Sequence, residues 1–156
     1  MDEFSTVRRE SWAYQNLLGQ DKRNQCTLSV TFATPGNVVV GYTDRHASWR
    51  RKGNDISLDW SIVVTTFTHS SASGALRLSG MPFAVENRSG HFPVGSVSWQ
   101  GINKANYTQI VPYGSPGQTY ITFRTSGMAQ SAADVLVADV STGSLITLYG
   151  HLDYEV

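Results

Sequence analysis

The clearest pattern along the chain is a two-residue alternation of apolar and polar side chains between residues 55 and 67. The apolar positions share one parity: Ile56, Leu58, Trp60, Ile62 and Val64. Alternation of this kind turns one side of a β-strand towards a core, whereas a helix would spread the same residues around its circumference. The segment is therefore predicted to be a half-buried strand, with Trp60 packed in the core.

Shorter segments of similar character recur along the rest of the chain, separated by glycine, proline, serine and asparagine. They are residues 27–32, 38–43, 75–78, 96–100, 107–113, 118–124, 133–140 and 145–154. Many short strands at even spacing are typical of a sandwich or barrel. We expect an all-β fold, an antiparallel jelly-roll-like β-sandwich of nine or ten strands.

Three local expectations accompany this reading. Pro35-Gly36-Asn37 is predicted to join segments 27–32 and 38–43 as a hairpin. The apolar run 135–138 favours a strand buried on both faces, either inside the monomer or under a neighbouring protomer. Residues 126–133 offer at most one helical turn.

The length of 156 residues suits one domain. We expect residues 27–156 to form the sandwich and residues 1–26 to be an arm or connecting segment, in which residues 8–18 suggest either a short helix or an extended arm. The abrupt start suggests a piece of a longer protein. The single cysteine, Cys26, cannot form an intrachain disulfide.

Charge is balanced and sparse, with 12 basic and 12 acidic residues and 15% of residues charged. This balance gives no general attraction to nucleic acid or to an anionic membrane. The basic segment 45–52 is interpreted as a strand edge guarded by charge. No run approaches the roughly 20 apolar residues of a membrane helix, so no membrane insertion is expected.

Catalytic and metal-binding patterns are weak. The four histidines, His46, His69, His91 and His151, lack the short spacings of structural zinc sites, so no metal and no cofactor are expected. No serine lies in a Gly-x-Ser-x-Gly elbow, and Ser89-Gly90-His91 is read as a turn. Asp55 and Asp59 lie on the solvated side of the long strand, so we do not expect an enzyme.

Saccharide binding requires flat aromatic faces flanked by polar groups that contact hydroxyls. The segment 99–107 combines these features between two predicted strands. The candidate glycan-binding residues are Trp49, Trp99, Asn103, Asn106, Tyr107 and Tyr113. The alternative is that Trp99 packs in the core and the loop has no ligand.

The order of segments from residue 27 to residue 156 resembles a domain near the C-termini of tailed-bacteriophage tail fibres and tailspikes. The matching stretches are 27–32, 47–54, 56–67, 74–83 and the closing Gly-His-Leu-Asp-Tyr-Glu-Val of 150–156, and the most specific is Ser79-Gly80-Met81-Pro82-Phe83. The opening segment departs from the aromatic- and proline-rich start usual in such domains, and residues 1–26 have no counterpart in them. The resemblance implies a trimeric β-sandwich at the end of a fibre, with some members contacting glycans or proteins of the host surface.

The resulting hypothesis is a C-terminal trimerisation and receptor-binding domain of a phage tail fibre or tailspike. Its partners would be two further copies of the chain and a bacterial surface polysaccharide or protein, and its location the phage tail, after assembly in the host cytoplasm. Multivalency would turn weak contacts into firm attachment. Two alternatives are a stand-alone carbohydrate-binding module or lectin, and a glycan hydrolase with paired carboxylates in a cleft.

Overall fold

The computed structural model of the chain describes residues 23–156, which form two antiparallel five-stranded β-sheets. The strands are β1 (Asn24–Cys26), β2 (Ser29–Thr34), β3 (Val39–Lys52), β4 (Asp55–Thr68), β5 (Ser73–Ser79), β6 (Ser96–Gln100), β7 (Gln109–Gly114), β8 (Tyr120–Gly127), β9 (Gln130–Asp134) and β10 (Ile146–Glu155). One 3-10 helix, Val137–Asp139, lies between β9 and β10. The predicted two-sheet sandwich is confirmed, whereas the jelly-roll connectivity remains a prediction.

Sheet A has the strand order β1-β3-β4-β10-β6. Sheet B has the order β2-β5-β8-β7, and β9 pairs with β8. β5 and β9 lie along the same side of β8 but next to different parts of it. Ser79 of β5 pairs with Tyr120 near the start of β8, and Ala133 of β9 pairs with Thr125 near its end.

The long alternating segment is β4, in the middle of sheet A. Its five predicted inward residues are all buried, including Trp60 at 4% exposure. β10 presents a matching inner face of Ile146, Leu148, Leu152 and Tyr154. Across the sandwich these strands face the inner side chains of sheet B, listed as Val30, Phe32, Leu76, Leu78, Ile110, Ile121 and Phe123.

The predicted hairpin between residues 27–32 and 38–43 is wrong. The turn itself forms, since the Val38 N–H donates to the Pro35 carbonyl at 3.1 Å. However, β2 pairs with β5 in sheet B, whereas β3 pairs with β4 in sheet A. The Asn37 side chain holds this crossover, because its Oδ1 accepts backbone hydrogen bonds from Ser70 and Ser71 at 2.9 and 2.8 Å.

The predicted strand at 133–140 and the helical turn at 126–133 are also wrong. Residues 126–133 form the β8–β9 hairpin, and the strand ends at Asp134. The chain then turns, because the Asp139 carboxylate accepts from the Leu136 N–H at 2.8 Å and the Asp139 N–H donates to the Leu136 carbonyl at 2.9 Å. Val135 is buried while Leu136 is exposed, so the apolar run is not a strand covered on both faces.

The last residues of the predicted arm or connecting segment contact the sandwich. β1, which belongs to the predicted arm, pairs with Ala47, Ser48 and Trp49 of β3 and therefore belongs to sheet A. The predicted arm or helix over residues 8–18 lies outside the described residues. Among the residues described, no helix has the length and hydrophobicity to span a bilayer.

Gly150 gives a test of the packing between β4 and β10. It lies opposite Trp60, and a Cβ at this position would come within 2.3 Å of Trp60 Cζ2 and 2.9 Å of the Ser96 carbonyl oxygen. We predict that Gly150→Ala lowers the free energy of unfolding by about 1–3 kcal/mol, because the rigid indole and backbone must move apart. Urea denaturation measures this loss.

Ser98→Ala on the neighbouring strand is the matched control. Ser98 is exposed and lies opposite Tyr149, so this change is expected to alter stability by less than about 0.5 kcal/mol. Equal stability of the Gly150→Ala variant and the wild-type protein would contradict the close packing of Trp60 on Gly150.

Candidate functional site

The six residues predicted to bind glycan do not form one site. Trp49 lies opposite Leu58 and Trp99 opposite Leu148, both buried residues, so the two indoles face inward. Both are partly buried against the core, and the Trp49 ring contacts Phe83 edge-to-face at 5.0 Å. The alternative reading of Trp99 as a core residue thus describes its position better than an exposed platform does.

Asn103, Asn106 and Tyr107 lie together in the connection from β6 to β7, at one end of the sandwich. Residues 101–108 form this end loop, which is held against the segment after β9. Ile102 bridges to Val140, and the Asn103 N–H donates to the Asp139 carbonyl at 2.8 Å. Asn106 has a positive φ of 67°, a conformation that asparagine tolerates better than most residues.

A largely buried ion pair connects the end loop to the segment after β9. Lys104 Nζ donates to Asp139 Oδ2 at 2.7 Å and to the Asp134 carbonyl at 3.1 Å. The Tyr107 hydroxyl donates to the Ser131 carbonyl at 3.1 Å. These contacts hold the backbone of the end loop in place, while the side chains of Asn103 and Asn106 are exposed to solvent.

Tyr113 lies towards the opposite end of the sandwich, on the outer face of sheet B. Its ring stacks on Phe92 with centroids 5.2 Å apart and planes inclined by 16°, and the Arg124 guanidinium lies 4.8 Å from the Tyr113 centroid. Val94 bridges to Tyr113 through the backbone. We call Phe92, Val94, Tyr113 and Arg124 the β7-edge surface.

The β7-edge surface has the composition of an interaction surface. Phe92 is 45% exposed and Val94 56%. Exposed aromatic and apolar side chains beside an arginine are enriched where proteins associate. The sequence predicts a role for Tyr113 but not for Phe92 or Arg124. Arg124 could be placed next to β7 from the alternation in 118–124, if β7 and β8 are assumed to pair as neighbours.

The basic segment 45–52 belongs to β3, and its arginines contact the chain's own groups. Arg45 Nε donates to the Leu28 carbonyl at 2.7 Å, and its guanidinium lies over the Tyr42 ring. Arg51 Nε donates to the Gly53 carbonyl at 2.7 Å. Arg45 and Arg51 are thus engaged by the chain itself, but over residues 47–49 β1 pairs with β3, so the predicted strand edge is covered there.

The outer face of sheet A carries a row of hydrogen-bonded polar residues across β4 and β10. His151 Nδ1 lies 2.8 Å from Asp59 Oδ1, and His151 Nε2 lies 3.0 Å from Asp153 Oδ2. The Ser57 hydroxyl donates to Asp153 Oδ1. In a hydrolytic triad the serine would donate to the histidine, which needs one nitrogen free to accept. Here both nitrogens contact carboxylates, so the row does not have that arrangement.

The contacts within this row shift the pKa values of His151 and Asp153. Partial desolvation lowers the pKa of His151, but its hydrogen bonds to Asp153 and Asp59 outweigh this effect, so the pKa is raised above its ordinary value. Desolvation raises the pKa of Asp153, but hydrogen bonds from Ser57 and His151 outweigh it, so this pKa is lowered. The imidazolium is thus stabilised between two carboxylates.

Comparisons of the chain with protein-family models, with curated proteins and with solved structures found no match.

The raised pKa of His151 predicts a pH-dependent contribution to stability. Its stabilising effect should be complete below the unfolded pKa of about 6.5 and should disappear as pH rises through the higher folded pKa. We predict that His151→Gln costs less than about 1 kcal/mol near pH 5.5, since the pair is partly exposed, and almost nothing near pH 9. Urea denaturation at both pH values measures the difference.

His46→Gln serves as the control, because the His46 side chain is 83% exposed on the same face and solvent screens its contact with Asp44, at 3.2 Å. A cost of His151→Gln that grows with pH would contradict stabilisation by the protonated form of His151.

Proposed function

We propose that this chain is a binding and assembly domain without catalytic activity: the C-terminal trimerisation and receptor-binding domain of a phage tail fibre or tailspike. The main supporting observation is the separation of two surfaces of different chemistry. The β7-edge surface is apolar and aromatic, whereas the end loop near the opposite end is polar and tied down.

The β7-edge surface supports the part of the proposal that concerns self-association. Phe92 and Val94 expose apolar area, and the Arg124 guanidinium lies against an aromatic ring. β7 is also an edge strand of sheet B, and Pro112 within it cannot donate a backbone hydrogen bond. Copies of the chain would therefore associate through side chains, not by extending the sheet.

The end loop supports the part that concerns receptor binding. Asn103 and Asn106 present amide groups, which both donate and accept hydrogen bonds as sugar hydroxyls require. The Lys104–Asp139 ion pair and the Tyr107 hydroxyl hold their backbone in place before any ligand arrives. A preorganised loop loses less conformational entropy on binding, and three copies would multiply a weak affinity.

Light scattering on the purified chain tests the assembly state. We predict a mass of three chains at micromolar concentration. A stable monomer would contradict the trimer and favour the stand-alone carbohydrate-binding module.

Phe92→Asp tests whether the β7-edge surface is the interface. We predict that this change shifts the mass towards the monomer and weakens association by at least about tenfold, because a carboxylate would be desolvated among apolar groups. Tyr149→Asp is the matched control, since Tyr149 is 46% exposed on the outer face of sheet A. Trimers that persist in Phe92→Asp but dissociate in Tyr149→Asp would place the interface on sheet A.

The combined change Asn103→Ala and Asn106→Gly tests the end loop. Glycine accepts the positive φ of residue 106, so the backbone should be preserved while both amides are removed. On an array of bacterial surface glycans we predict loss of binding with an unchanged trimer mass. Asn87→Ala, an exposed asparagine in the connection from β5 to β6, is the control. Unchanged binding in the double variant would exclude this loop as the receptor site.

A further inference from the structure

Three potential metal ligands converge where the connection from β5 to β6 meets the end of β10. They are Glu86, His91 and Glu155, and one ligand atom from each lies within 4.8 Å of the others. The Glu86 N–H donates to the Glu155 carbonyl at 2.7 Å, which fixes the two backbones together. Sequence spacing does not predict this cluster, because Glu155 is distant in the chain from Glu86 and His91.

The two ligands from the connection are the closer pair. Glu86 Oε2 lies 3.7 Å from His91 Nδ1, near the separation of about 3.4 Å between neighbouring ligands of a tetrahedral zinc ion. Glu86 Oε2 is also buried without a hydrogen-bond partner. A buried carboxylate oxygen in this condition needs a nearby cation, and at present the Arg88 guanidinium, 3.5 Å away, supplies it.

A cation already occupies the centre of the cluster. The Arg88 guanidinium lies 3.5 Å from Glu86 Oε2, 3.5 Å from Glu155 Oε2 and 2.9 Å from His91 Nδ1. Because arginine only donates, His91 Nδ1 must accept, so its lone pair points into the cluster as it would towards a metal. The Arg88 side chain is 57% exposed and can turn into solvent at small cost.

Space for the remaining ligands of an ion lies beside the cluster. A groove of about 480 Å³ is lined by His91 and Glu155, by the basic residues 50–52 of β3, and by residues of β4 and β10 that include Asp55 and Asp153. Water molecules in this groove can complete a coordination sphere. One imidazole with two carboxylates suits a divalent transition ion such as Zn²⁺, whereas Ca²⁺ and Mg²⁺ prefer oxygen ligands alone.

We propose that Glu86, His91 and Glu155 form a site for a divalent transition-metal ion, with Arg88 as the cation that it displaces. The ion would join the connection between β5 and β6 to β10, the last strand of the chain. This inference does not depend on the proposed function, since none of the three ligands belongs to the β7-edge surface or to the end loop, although His91 directly precedes Phe92 in the chain.

Calorimetric titration of the full chain with ZnCl₂ tests the proposal. We expect one Zn²⁺ per chain, no comparable binding of Ca²⁺ or Mg²⁺, and affinity at least about tenfold weaker in His91→Ala. Circular dichroism shows whether His91→Ala is folded. If it is not, Glu155→Gln removes a different ligand and should weaken Zn²⁺ binding in the same way. His46→Ala and Cys26→Ser are controls for other zinc-binding groups and should leave the affinity unchanged.

Arg88→Ala gives the most discriminating result, because removal of a competing cation should tighten Zn²⁺ binding by about fivefold. The melting temperature with Zn²⁺ should also rise more in this variant than in the wild-type protein. The proposal is overturned if the wild-type chain binds no Zn²⁺ at millimolar concentration. It is equally overturned if binding survives both ligand variants, disappears in a control variant, or weakens in Arg88→Ala.

Discussion

The sandwich depends on the burial of one face of β4. This strand pairs with β3 on one side and β10 on the other, so its inner side chains form the middle of the core. Side chains alternate with a period of two, and a slip of one residue would put Ile56, Leu58 and Trp60 in water. The same alternation delivers Ser57 and Asp59 to the outer face, where they join the polar row around His151.

The parts of the fold that could be predicted from the sequence are those that local periodicity determines. β4 can be predicted because its alternation is long, and Trp60 is buried as expected. Pairing partners are not encoded locally. The turn at Pro35 therefore suggested a hairpin, although the Asn37 contacts with Ser70 and Ser71 belong to a crossover between sheets. The apolar run after β9 predicts a strand but does not form one, because Asp139 accepts a backbone hydrogen bond that turns the chain there.

The candidate surfaces show the same division. Asn103, Asn106 and Tyr107 are neighbours in sequence and remain neighbours in the end loop, so their grouping could be predicted. Trp49 and Trp99 are adjacent to polar residues in sequence but face the core, because their partners across the sheet are buried. Phe92 and Arg124 reach Tyr113 only through sheet B and the connection between sheets.

The position of β10 between β4 and β6 has a consequence for how the molecule is made. On a ribosome, β6 emerges long before the strand to which it must pair, and it would wait with its backbone groups unmatched in sheet A. Other pairs in both sheets can form early, because β3 and β4 in sheet A and β7 and β8 in sheet B are consecutive hairpin partners. Sheet A therefore cannot be completed until β10, which lies between β4 and β6, has left the ribosome, so its closure is a late, long-range event.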